Sequence, residues 1–386
     1  TFSFFIMMKP LLTNTFIINN KHLSSVLSPS TDIVDYNYDI DGVHKLNLLQ
    51  ILRPDIYFGK NLSDKKFFEH SKKYYQNLID KKIISKKNKN FNLYKIHSEN
   101  HSQVGLVTLL DINDYQNNNI KPHEKILVSK GKERAAQLKK VRYQICPIYL
   151  FFDDKKLKLD FHKETKGNPM IYFKSGNYSH SIFQSKTNYM DKINFNELFI
   201  ADGHHRVEGF SQLNKSETKT LFLAVIFPKS QCNNLTYNRS VKFPNNYKSK
   251  NFLKDLNKFF DINVASKPIK NKFQIYFSGQ MQNLKLKPQF ESLGADCLDF
   301  GEFILKRILS IKDETNDERV EFVPPSLGDG YLKNQVDNGI NNLSTFMRPV
   351  KIDLVMDYAK KGKFMPPKAT WFEPKPLDGI FFHHIK

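Results

Sequence analysis

Asp202, Gly203, His204, His205 and Arg206 stand side by side, and each is a residue type suited to handling phosphate. Gly203 permits a tight turn and lets the backbone come close to a ligand. An arginine in the first turn of a helix can grip phosphate oxygens with two parallel N–H bonds, and the helix end adds a positive dipole. His204 and His205 can donate to a phosphoryl group or exchange protons near neutral pH. Asp202 can hold a magnesium ion or accept a proton from a substrate hydroxyl. A plainer reading makes Asp202 a helix cap and Arg206 the partner of a surface carboxylate. Two histidines and an arginine directly behind the Asp-Gly pair exceed what capping needs. Two more cations are candidates for phosphate contact. Arg239 is one of only eight arginines in the chain, and Lys368 lies with Lys375 in a proline-stiffened segment.

The elements that must position these residues follow from periodicity. Leu198–Ala201 reads as a short apolar strand running into Asp202, and Val207–Leu213 as the helix after it. Leu221–Phe227 reads as a buried strand. Upstream, residues 65–84 carry a helical apolar stripe with Ser63 as N-cap. Phe91–His97 alternates as a half-buried strand does, and Val104–Leu110 and Ile145–Phe152 read as buried strands around a helix at 132–142. Ile171–Phe173 and Ser181–Phe183 are short strand candidates. A Lys/Asn/Pro-rich stretch at 242–251 marks an internal boundary. Beyond it the pattern predicts helices at 252–260, 297–310 and 351–361, the last followed by Gly362, and a strand at 273–277. Trp371 and Phe372 are expected to close a core. No repeat of 20–50 residues is present, which removes solenoids and propellers.

The chain has 386 residues, 40% hydrophobic and 25% charged, a balance that supports a folded core. Its net charge of +20 comes almost wholly from lysine and is spread along the chain. Asn, Ile and Phe are also abundant, the pattern of AT-rich codons, so most of the charge is ascribed to genome composition and a nucleic-acid partner is not favoured. Cys146, Cys232 and Cys297 are odd in number and lack metal-ligand spacing, which suits a reducing compartment. The apolar stretch Phe2–Met8 is too short to span a bilayer and lacks the marks of a signal peptide, so a cytoplasmic location is expected. There is no Walker-type loop and no Gly-x-Ser-x-Gly elbow.

The Asp202–Arg206 run resembles the signature loop of the ParB/sulfiredoxin-like superfamily. The chain from about Met8 to Lys386 is similar to the DUF1015 family (domain of unknown function). Ile200–Arg206, Leu223–Pro228, Tyr237-Asn238-Arg239 and Met365–Lys375 carry that likeness. The resemblance implies an α+β fold: a mixed-sheet core over residues 21–241, an N-terminal extension over 1–20, and a C-terminal α/β region over 252–386 packed on the core. It also implies a nucleotide, ATP or ADP with Mg2+, whose phosphates lie on the loop. By likeness to free-serine kinases in the superfamily, it implies phosphoryl transfer with a small hydroxyl compound, serine or phosphoserine. Glu124, in Lys121–Lys125, is then the base; Asp202 and His205 are catalytic; Gly203, His204, Arg206, Arg239 and Lys368 contact nucleotide or phosphate. Alternatives are a ParB-type DNA-binding protein and a non-catalytic nucleotide sensor. A sulfiredoxin chemistry fails for want of a cysteine in the loop. Ser28–Asp32, Ile126 and Pro324-Pro325 depart from the family pattern.

Overall fold

In the computed structural model the strand that runs into Asp202 lies second from one edge of an eight-stranded mixed sheet. The structure describes residues 7–27, 44–59, 63–86, 90–125, 128–155, 157, 159–213 and 220–385. Ser28–Asp32 and Ile126 lie outside that set.

Across the sheet the order is Ile120–Lys121, Leu198–Asp202, Ile148–Phe152, Leu221–Pro228, His101–Asp111, Asn92–Ser98, Tyr178–Gln184 and Ile171–Ser175. Leu198–Asp202 is parallel to the first of these and antiparallel to Ile148–Phe152, which is parallel to Leu221–Pro228. The remaining pairs are antiparallel. Ile148–Phe152 is buried at every position, and Leu221–Pro228 at all but its first. Strands covered on both faces read as continuous apolar runs, which is why both were visible in the sequence. Leu93, Leu106, Ile148, Leu150, Ile200 and Ile226 join Val207 and Phe210 of the following helix in one core.

That helix, His204–Leu213, packs on the helix Val128–Val141 at unusually close range. A Cβ on Gly131 would stand 2.7 Å from Gln212 Nε2, and one on Gly209 would stand 2.9 Å from Arg134 Cβ. Each glycine thus leaves room for the other helix, and the contact fixes where the His204 end points.

The chain divides into two compact units, one of residues 1–122, 126–232 and 374–386, the other of 123–125 and 233–373. The first also holds a small antiparallel sheet of Ile84–Lys86, Phe16–Ile18, Phe381–His384 and Tyr143–Gln144. The second is built on a six-stranded sheet in the order Phe260–Ala265, Gln280–Leu286, Gln274–Phe277, Leu343–Phe346, Asn238–Val241, Val320–Val323. Its core gathers Val241, Phe252, Phe260, Ile275, Phe300 and Ile304.

Every pairing in that six-stranded sheet is antiparallel, so the expected α/β region is corrected to α+β. Its tightest connection shows why: Phe277 and Gln280 pair across Ser278 (φ 50) and Gly279 (φ 75), a two-residue turn that only antiparallel strands can use. The helix expected at 252–260 stops at Leu256, and Phe260–Ala265 is a strand. The helix expected at 297–310 is α-helical over Asp296–Asp299 and π-helical over Phe300–Ile308. Among the described residues no helix is long and apolar enough to cross a membrane.

Candidate functional site

The end of the Leu198–Asp202 strand is bulged. Phe199 pairs with Phe151 and Ile200 with Leu150, but Asp202 then pairs with Tyr149, leaving Ala201 as an extra residue. Such a bulge bends a strand and re-aims the side chain after it. Gly203 follows at φ 104, a backbone region that side chains oppose. A Cβ there would meet Ile148 Cδ1 at 3.0 Å and the Arg206 guanidinium at 3.2 Å (Nε) and 3.3 Å (Nη2). Gly203 is therefore required twice, for its turn and for the arginine that folds back over it. Its carbonyl starts the helix, accepting from the N–H of Arg206 at 2.9 Å and of Val207 at 3.0 Å.

Arg206 donates through Nη1 to the Pro147 carbonyl at 2.9 Å and through Nη2 to the Asp202 carboxylate. The other Asp202 oxygen lies 3.4 Å from Lys375 Nζ. Burial alone would raise the Asp202 pKa, but Lys375, then Arg206 and His204, outweigh it and hold the carboxyl well below the usual range. A carboxylate so stabilised is a weak base, so its evident work is to hold two cations at the strand end. The Arg206 and Asp202 side chains keep 27% and 34% of their exposure, enough for a ligand to reach both. His204 is buried and His205 half-buried. Cys146 also bonds the Asp378 carboxylate within the field of Arg206. Burial first, then Asp378, pushes that thiol far up, which keeps it protonated.

A magnesium site on Asp202 does not fit this donor set. Magnesium usually rests on one or two carboxylates with phosphates and waters, and both oxygens of this carboxylate already face cations, which oppose a third.

Three other expected site residues lie in the second unit. His123–Lys125 runs beside Met365: Glu124 forms a parallel bridge with Met365, whose N–H donates to the His123 carbonyl at 2.7 Å. His123 Nε2 is 2.9 Å from Thr370 Oγ1. His123-Glu124 and Met365 are thus neighbours within that unit. Lys368, at φ 54, is exposed and sets its ammonium 5.0 Å from the Tyr237 ring centre.

Arg239 was expected on phosphate, and the structure gives it another task. It is 0% exposed. Nη1 donates to the carbonyls of Tyr237 (2.9 Å) and Lys368 (3.1 Å), Nη2 to Pro367 (2.9 Å) and Nε to Glu314 (3.3 Å), while the guanidinium lies 4.6 Å from the Phe322 ring centre. With its donors turned inward it pins the Pro367-Lys368 backbone and leaves no face for a phosphate. Scarcity of arginine drew attention to it; burial, invisible in the sequence, decided its role. Conversely, nothing in the sequence around Lys375 sets it beside Asp202; the fold reveals that contact.

Solved structures with partial likeness include a conserved hypothetical protein from Pyrococcus furiosus (13% identity, TM-score 0.37, 71% of this chain and 93% of that one). A free serine kinase mutant in complex with ADP matches at 12% identity and TM-score 0.38, over 71% of this chain and 91% of that one. SbnI with a C-terminal truncation, from Staphylococcus aureus, matches at 11% identity and TM-score 0.41, over 70% and 85%. No curated protein matches the chain. The family described as "protein of unknown function (DUF1015)" matches residues 15–306, about three-quarters of the sequence, and the chain belongs to that family.

Proposed function

We propose that this protein is a nucleotide-dependent phosphotransferase with a ParB/sulfiredoxin-like core, acting on a small hydroxyl compound. The observation that carries the reading is the bulged strand end at Asp202, where Gly203 lets a partly exposed Arg206 fold over the opening of a helix. Phosphoryl transfer asks a protein mainly for positioning and charge neutralisation. Arg206 and the helix end supply both for phosphate oxygens, and His204 and His205 can donate to the transferring group. By resemblance to the serine kinases, the hydroxyl compound is serine or its phosphate, and Glu124 is the base for the hydroxyl.

The test is direct. Purified protein is incubated with ATP, ADP or pyrophosphate plus serine, and with phosphoserine plus nucleotide, and phosphorus NMR follows the products. The expected result is transfer with at least one pair, lost in Asp202→Asn and in Glu124→Gln while both variants keep the wild-type unfolding transition. Wild-type turnover in either variant overturns the role given to that residue, and no transfer with any pair overturns the phosphotransferase reading.

A further inference from the structure

We infer that Lys375 is the second phosphate-binding cation of the Asp202 loop, held in place by two buried side chains, Gln103 and Tyr94. The inference rests on the phosphate reading of that loop.

The chain re-enters the first unit at Pro374. Lys375 follows between two prolines, Pro374 and Pro376, each of which fixes its own φ. On one side the Pro374 carbonyl accepts from Gln103 Nε2 at 3.0 Å. Gln103 is 0% exposed, and its Oε1 accepts from the Tyr149 hydroxyl at 3.4 Å. On the other side the Leu377 N–H donates to the Tyr94 hydroxyl oxygen at 2.9 Å. That oxygen also lies 2.9 Å from His180 Nδ1.

An amide N–H only donates, so the Tyr94 oxygen accepts from Leu377. Burial lowers the His180 pKa to about 4 and keeps its ring neutral, and the tautomer protonated at Nε2 leaves Nδ1 to accept the Tyr94 proton. Further along, the Gly379 N–H donates to the Ile145 carbonyl at 2.9 Å, and Phe381–His384 joins the small sheet.

The backbone around Lys375 is thus pinned on both sides by side chains lying wholly inside the sheet. An ordinary surface ion pair contributes about 0–1 kcal/mol and needs no such support. What the anchoring does secure is the place of one ammonium, 22% exposed and 3.4 Å from the carboxylate that also holds Arg206. An ammonium carries three donors, so Lys375 can serve the Asp202 carboxylate and a phosphate oxygen together.

The experiment is calorimetric titration of ADP and, separately, pyrophosphate into wild type, Lys375→Met, Lys375→Arg and Tyr94→Phe. Lys375→Met should weaken both ligands about 10- to 100-fold, the worth of one charge-assisted hydrogen bond, with an unchanged unfolding midpoint. Lys375→Arg should recover most of the loss. Tyr94→Phe should weaken both ligands by a smaller factor, because it loosens the segment without removing the charge. Lys375→Met that binds both ligands within twofold of wild type overturns the assignment while leaving Arg206 and the loop standing. A loss confined to ADP, with pyrophosphate unaffected, also overturns it, since a phosphate contact cannot depend on the nucleoside. A wild-type chain that binds neither ligand overturns the phosphate reading, and this assignment with it.

Discussion

Arg206 and Arg239 each sit beside a carboxylate and backbone carbonyls, yet their settings are opposite. Arg206 belongs to the first unit and keeps 27% of its side-chain exposure, bent over a glycine at a bulged strand end. Arg239 belongs to the second unit and keeps none, its guanidinium surrounded by Tyr237, Pro367, Lys368, Glu314 and Phe322. A buried cation earns its place by satisfying groups that would otherwise be left without partners. A half-exposed cation beside a carboxylate adds little stability and remains within reach of a ligand. The difference separates a residue that holds structure from one that can hold substrate.

The comparison breaks most visibly at Arg239. Arg239→Met leaves three carbonyls and the largely covered Glu314 carboxylate without their donor, and should cost about 3–5 kcal/mol, read from denaturant unfolding. Glu314 shows the strain already. Burial raises its pKa and Arg239 opposes the rise, so removing the arginine should raise it further.

A second difference is in pH response. His180 and His383, both in the first unit, are held neutral by burial with pKa values of about 4. Between pH 6.5 and 4 the unfolded chain binds protons that these histidines refuse, so stability falls as pH falls through that window. At its lower end the loss should approach about 3 kcal/mol for each histidine, and above pH 7 it should vanish. A stability profile flat from pH 7 to 4.5 would contradict this.

Gly203→Ala comes next. It forces a side chain into φ 104 and against the Arg206 guanidinium, at about 1–2 kcal/mol, measured by thermal unfolding. Smallest of all is Arg206→Met, which should cost at most about 1 kcal/mol of stability, the scale of a part-exposed ion pair. A cost as large as that at Arg239 would erase the contrast between the two arginines.

Much of the first unit could be read from the chain because its buried strands are uninterrupted apolar runs. Ile148–Phe152 and Leu221–Pro228 announce themselves, and the Asp-Gly pair marks the turn. The strand Phe260–Ala265 was legible too, in its Phe-Asp-Ile-Asn-Val alternation, but the helical residues before it masked the change of period. What sequence could not give is who meets whom. Nothing local to Lys375 indicates Asp202, and nothing local to Gly131 and Gly209 indicates that they face each other's helices. Nor does Tyr237-Asn238-Arg239 reveal an arginine sealed inside a sheet.

If the Asp202 loop holds phosphate through Arg206, ADP titrated into wild type and into Arg206→Met at matched temperature and salt will show it. Affinity should fall at least about 10-fold in a variant whose unfolding curve is nearly that of wild type. Equal ADP affinity in the two proteins rules the contact out.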